Sequence, residues 1–176
     1  MRYRRADTAG GTYFFTVNLA ERGADTLVRH IDDLGAVIDT VKAAHPFSPV
    51  AMVVLPEHLH VIWRLPLGDV DYPMRWSLIK AGFSRRLDTG GHRRASRVAK
   101  RERGIWQRRY WEHQIRDDAD LARHVDYVHY NPVKHGWVSR PVDWPRSTLH
   151  GYIERGMVSR DWGGKVGDDV GGYGER

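Results

Sequence analysis

The chain has 176 residues, with 28 Lys and Arg against 22 Asp and Glu, a formal charge of +6 and a pI near 9.8. That length suits one domain with room for a tail, and the basic balance favours a polyanionic partner such as nucleic acid. The lack of cysteine excludes disulfides and thiolate metal sites. The lack of an apolar run of about 18 residues excludes a spanning helix, and no signal-type segment follows Met1-Arg2-Tyr3-Arg4-Arg5, so the chain reads as soluble, intracellular and cytoplasmic.

In chain order, Arg2 to Arg5 form a short basic arm carrying Tyr3, suited to clamping phosphate. Thr12 to Leu19 is aromatic and β-branched, which predicts a strand. Ile31, Leu34, Ile38 and Val41 recur at helical spacing up to about His45 before Pro46. Val50 to Leu55 and His58 to Leu65 read as two strands joined by a turn at Pro56-Glu57. A second helix starts near Pro73, with Trp76, Ile79, Phe83 and Leu87 on its apolar face and Arg75, Lys80, Arg85 and Arg86 elsewhere. Asp88 to Gly104 holds six Lys or Arg, among them Arg93, Arg94 and Arg97, with no apolar stripe, and reads as a basic loop able to follow a phosphate backbone. Ile105 to Arg116 alternates as a strand would, and Asp118 to Asn131 returns to helical spacing, ending before Pro132. The tail from residue 151 to 176 is rich in glycine and reads as irregular.

The order β, α, β, β, α, β predicts a ferredoxin-like sandwich. Its expected form is a four-stranded antiparallel sheet with two helices on one face, followed by an extra C-terminal helix. Within that frame His58 and His60 fall two residues apart on a strand, so both imidazoles share one face while Leu59, Val61, Trp63 and Leu65 fill the other. Two neutral imidazoles on one face can chelate a cation, although a lone His-x-His pair is a weak signal. On the last helix Leu121, Val125 and Val128 make a packing stripe, and Asp120, His124, Tyr127 and Asn131 lie on the adjacent one. Asn131, at the expected helix end, would turn its amide outward. A phenol, with its pKa of about 10, is a poor nucleophile at neutral pH, but a divalent ion that polarises a phosphodiester makes its attack feasible. His58, His60 and the Asn131 oxygen could hold that ion beside Tyr127, which would become covalently linked to phosphate.

His58-Leu59-His60 also matches the His-hydrophobic-His signature of the HUH endonucleases. The chain as a whole resembles the REP-associated tyrosine transposases, a branch of the insertion-sequence-200-like single-tyrosine transposases. The likeness runs through Gly11 to Leu19, Val54 to His60, Ile105-Trp106-Gln107, Tyr110 to His113, Asp126 to Val138 and Asp143 to Thr148, about 150 residues in order. The expected domain is therefore residues 1–150, with the tail outside it. The resemblance implies that Tyr127 is the nucleophile, that His58, His60 and Asn131 are ligands of Mg2+ or Mn2+, and that the substrate is single-stranded DNA carrying repetitive extragenic palindrome hairpins. Cleavage would leave a 5′-phosphotyrosine and a free 3′-hydroxyl. It also implies a monomer working at the nucleoid. By charge and aromatic character, Arg2, Tyr3, Arg4, Arg5, Lys80, Arg85, Arg93, Arg94 and Arg97 are candidate DNA contacts, the alternatives being a solvated terminus and, for the loop, a solvated connector. The basic loop 88–104 is longer than the family needs.

Several alternatives stay open. Tyr130, three residues after Tyr127, is a competing nucleophile off the Asn131 stripe. His113 could assist proton transfer, or serve as a structural strand histidine. A non-catalytic single-strand-binding module would use the same sheet for stacking, whereas a zinc hydrolase would need a third strong ligand that neither cysteine nor a His-Glu-x-x-His helix supplies.

Overall fold

In the computed structural model, which describes residues 10–88, 104–163 and 173–174, four strands form one antiparallel sheet. The strands β1 (Thr12–Asn18), β2 (Ser48–Val54), β3 (His58–Arg64) and β4 (Trp111–Gln114) stand in the order β2-β3-β1-β4. The helices are α1 (Thr26–Arg29), α2 (Ile31–Ala44), α3 (Tyr72–Asp88), α4 (Asp118–Lys134) and α5 (Leu149–Glu154). The chain crosses from β1 to β2 by α2 and from β3 to β4 by α3, skipping one strand each time. β1 and β3 thereby become the two central strands of a ferredoxin-like sheet.

The period of two in β1 and β3 divides the interior into two layers. Tyr13, Phe15 and Val17 of β1 and Leu59, Val61 and Trp63 of β3 meet Leu34, Val37 and Val41 of α2 and Trp76, Ile79 and Phe83 of α3. Trp63 stacks on Trp76 at 4.3 Å between ring centroids with the planes 14° apart, and Phe47 covers Trp63 at 4.2 Å. Each such buried ring contributes about 1.5–3 kcal/mol from its apolar surface, and the aromatic pairing adds about 1 kcal/mol. The alternate residues Phe14 and Ile62, with Ala51 and Val53 of β2, form the second layer with Tyr127 and Val128 of α4. The extra helix therefore covers the sheet face opposite α2 and α3.

Arg75, expected among the outward cations of α3, is instead buried and uses all five of its N–H donors. It donates to both Asp69 carboxylate oxygens and to the carbonyls of His45, Pro46 and Asp71, tying the end of α2 to the start of α3.

The elements depart from the sequence expectation in several places, β2 for one beginning at Ser48 and not Val50. The strand expected over 105–116 is regular only over Trp111–Gln114, with a single bridge between Trp106 and Leu19, because an edge segment pairs on one side and gains little from staying straight. The short helix α1 was not anticipated, since four residues carry no periodicity. The helix expected to stop at Asn131 runs through Pro132 to Lys134. Proline at that point gives up one N–H near the helix end, and the stop is made by Gly136: its N–H donates to the Val133 carbonyl, and the Trp137 N–H to that of Pro132. The division drawn after residue 150 falls inside α5.

Gly136 has φ +72° and open space where a Cβ would stand, so its role is purely conformational. Gly136→Ala is expected to lower unfolding stability by about 1–2 kcal/mol, the cost of a left-handed alanine, read as a lower urea midpoint with an unchanged slope.

Candidate active site

The site is built where β1 and β3 present their second face to α4. Asn18 pairs with His58 and Thr16 with His60 in the β1–β3 register, so both imidazoles rise from the middle of the sheet. They are buried, with ring centroids 5.0 Å apart. Burial is the first cause that holds the His60 pKa well below the ordinary imidazole value, followed by the charges of Lys134 and His135.

The tautomer of His60 follows from its partners. Thr16 Oγ1 contacts His60 Nδ1 at 2.8 Å and also bonds the Tyr173 carbonyl, which can only accept. The hydroxyl proton therefore goes to the carbonyl, and His60 Nδ1–H donates to Thr16, leaving the lone pair on Nε2. A ring oriented by a hydrogen bond at one nitrogen is how proteins fix the tautomer and direction of a metal-binding histidine.

Helix α4 begins with Asp117 accepting from the Asp120 N–H at 2.7 Å, which sets the phase of the helix. Asp120, His124, Tyr127 and Asn131 then recur at helical spacing, and all four are buried. The expected arrangement is corrected here: this polar stripe faces the sheet, while Leu121 and Val125 are only half-buried at its flank. Asn131 is likewise buried and not turned outward, because the helix continues past it. The Tyr127 ring lies 5.2 Å from His60, and His135, two turns further on, lies 5.0 Å from His58. Asn131 occupies the helix position between these two contacts.

Nε2 of His58, Nε2 of His60 and Oδ1 of Asn131 are all buried atoms. Two imidazole nitrogens and one amide oxygen form a donor set that suits a divalent cation and leaves coordination positions open. Beside it, the Lys134 ammonium donates to the Tyr127 hydroxyl at 3.0 Å, and burial lowers its pKa.

No family model matches the chain. It is 43% identical over 163 residues to a REP-associated tyrosine transposase of Haemophilus influenzae, covering 92% of this chain and 93% of that one. It is 45% identical over 166 residues to the REP-associated tyrosine transposase of Escherichia coli K12, covering 94% and 93%. A solved structure of a REP-associated tyrosine transposase bound to a REP hairpin superposes with a TM-score of 0.88 at 44% identity, over 100% of this chain and 98% of that one. The chain belongs to the REP-associated tyrosine transposases.

Two features of this transposase were not legible in its sequence. Tyr173 and Gly174 return from the tail to the active face: the Tyr173 ring stands edge-on to Tyr127 at 4.7 Å, and Asn18 Nδ2 donates to the Gly174 carbonyl at 3.0 Å. Only glycine fits at 174, where φ is +77° and a Cβ would stand 2.3 Å from that of Trp111. The second feature is Asp120, whose carboxylate collects His113 Nε2 at 2.8 Å, the Arg116 N–H at 3.0 Å and an Arg123 guanidinium nitrogen at 3.2 Å. His124 lies against the same carboxylate and stacks on His113 at 4.6 Å. His113, Asp120 and His124 have metal-type spacing. The N–H donors already on Asp120, two of them from arginines, make the group a hydrogen-bond hub locking α4 to β4.

The remaining expected site residues separate from this face. Tyr130 is half-buried and enters none of the ring contacts around Tyr127 among the described residues. Lys80 and Arg85 lie on α3, across the sheet. Arg2, Tyr3, Arg4, Arg5, Arg93, Arg94 and Arg97 lie outside the described residues. Among the described residues no helix is long and apolar enough to cross a membrane.

Burial opposes ionisation of Asp120, but its hydrogen bonds from His113 and Arg116 prevail and hold its carboxyl well below the usual range. Its stabilisation is therefore complete above the unfolded value near 4 and is lost as pH falls below it. Asp120→Asn is expected to lower stability at pH 7 by about 1–3 kcal/mol, the deficit shrinking as pH is taken below about 4, measured by urea unfolding across that range.

Proposed function

We infer that this transposase cleaves and rejoins single-stranded DNA at REP-type hairpins with Tyr127 as nucleophile. The observation that carries the reading is the packing of Tyr127 5.2 Å from His60, itself 5.0 Å from His58, with Asn131 buried one turn further along α4 from Tyr127. Tyr127 Oη attacks the scissile phosphorus, the bond from phosphorus to the 3′ oxygen breaks, and a 5′-phosphotyrosine and a free 3′-hydroxyl result. The phenol releases its proton to solvent and the leaving oxygen takes one up. One phosphodiester replaces another, so the bond energy is retained and a 3′-hydroxyl can reverse the step.

Lys134, with its ammonium 3.0 Å from Oη, stabilises the phenolate as it forms. Thr16 holds the His60 ring by its Nδ1 side, and the packing of α4 on the sheet keeps Tyr127 directed at the same point. A magnesium or manganese ion on His58, His60 and Asn131 would polarise the phosphodiester and stabilise the leaving oxygen. The DNA partner recorded for the solved relative, a REP hairpin, supports the substrate class. The protein would act as a monomer in the cytoplasm, at the nucleoid.

The test mixes the protein with labelled single-stranded DNA carrying REP-type hairpins, with manganese or with chelator, and reads a denaturation-resistant protein–DNA adduct. The adduct is expected with manganese, absent with chelator, absent for Tyr127→Phe and retained for Tyr130→Phe. Tight binding with no adduct or cleavage under any condition would instead make the protein a binding module. Lys134→Gln is expected to slow adduct formation by about 100-fold, as loss of one preorganised donor does, which single-turnover kinetics would read.

A further inference from the structure

A second concave site lies across the sheet from Tyr127, between α3 and the irregular segment that precedes β4. Trp76, Lys80 and Arg85 of α3 form one wall, and Trp106, Arg108 and Tyr110 the other, around a cavity of about 590 Å³. Three cations line it, and no carboxylate does among the described residues.

The two walls are joined through their own polar groups. Lys80 Nζ donates to the Gln107 carbonyl at 3.0 Å, and Trp106 Nε1 donates to the Lys80 carbonyl at 3.2 Å. The Lys80 ammonium is thereby held 5.2 Å from the Tyr110 ring centre and 6.0 Å from that of Trp106, and among the described residues only one of its three N–H groups is taken, by the Gln107 carbonyl. Burial pushes its pKa down to about 8, so an anion beside it is electrostatically favoured. Trp76 adds a buried indole N–H with no acceptor among the described residues.

Aromatic faces and fixed cations around a concavity are what a single-stranded nucleic acid needs: a π-face for the base and positive charge for the phosphate. A double helix cannot enter a hollow of this size. The site is also wired to the catalytic strands. The Gln107 N–H, between the lining residues Trp106 and Arg108, donates to the Asn18 carbonyl at 2.9 Å, and Asn18 pairs with His58, so the backbones of Gln107 and His58 stand two strand spacings apart, about 10 Å.

We propose that this cavity binds one unpaired nucleotide of the substrate strand, its base against Trp106 or Tyr110 and its phosphate on Lys80 with Arg85 or Arg108. An unpaired strand leaving Tyr127 reaches it by turning around the β4 edge. The inference rests on the DNA-strand reading above.

The experiment uses the full chain and hairpin oligonucleotides with an unpaired extension, in which single thymines, paired or unpaired, are replaced by photoreactive 5-iodouracil. The expected result is a crosslink from one unpaired position to Trp106 or Tyr110, mapped by mass spectrometry. Lys80→Gln, which keeps a donor for the Gln107 carbonyl, should weaken binding of the extended oligonucleotide by about tenfold. It should also reduce the slope of log affinity against log salt by about 0.7, the value for one single-strand phosphate contact.

Crosslinks that map elsewhere, or arise only from paired positions, overturn the proposal. So does a Lys80→Gln variant, shown by thermal melting to be folded, whose affinity and salt slope are unchanged. The Tyr127 adduct, scored on the same unmodified oligonucleotide, separates the two readings: an adduct without the crosslink removes the cavity alone, and the crosslink without an adduct removes the nuclease.

Discussion

The alternation of β3 is the constraint on which the rest depends. Leu59, Val61 and Trp63 must face α2 and α3 to close the larger core, and a strand has only two faces. His58, His60 and Ile62 are consequently turned toward α4. A slip of one residue would turn the two imidazoles toward α2 and α3 and take Trp63 off Trp76 toward α4, so the core that stabilises the domain also sets the register of the site. Because β3 is central and hydrogen-bonded on both sides, neither histidine depends on a loop for its position.

The second layer is held differently. Its apolar cluster is small, and polar contacts help to join α4 to the sheet: Asp120 meets His113 of β4, and His129 meets Thr148, whose hydroxyl accepts from the Met52 N–H of β2. Such contacts contribute modestly to stability, since each replaces bonds to water, but they are directional and penalise misplacement heavily. That is suited to a surface where Tyr127 must meet His60 at a defined distance. The tail takes part in the same wiring, since the carbonyl of Tyr173 is what assigns the Thr16 proton and hence the His60 tautomer.

The two faces divide the handling of DNA in the reading developed above. On that reading the α4 face would carry the nucleophile and the donors for a cation, while the cavity beside β4 carries aromatic surfaces and cations. Both adjoin β1, through Asn18 and its neighbours, so the sheet would act as a rigid ruler between the reacting phosphate and a neighbouring nucleotide.

Much of this was legible in the sequence. The strand and helix order, the shared face of His58 and His60, the spacing of Tyr127 to Asn131 and the family likeness all follow from periodicities of two and 3.6 and from local motifs, which depend on near neighbours only. Three things were decided by tertiary structure. Which stripe of α4 faces the sheet depends on what the sheet offers it, and β1 and β3 offered Phe14 and the two histidines, to which the polar stripe is complementary. How far α4 runs was decided by the hydrogen bonds at Gly136 over the warning of Pro132. Contacts between residues far apart in the chain, such as Thr16 with Tyr173, His113 with Asp120 and Lys80 with Trp106, leave no local pattern, because the chain is brought together there only after the sheet has formed.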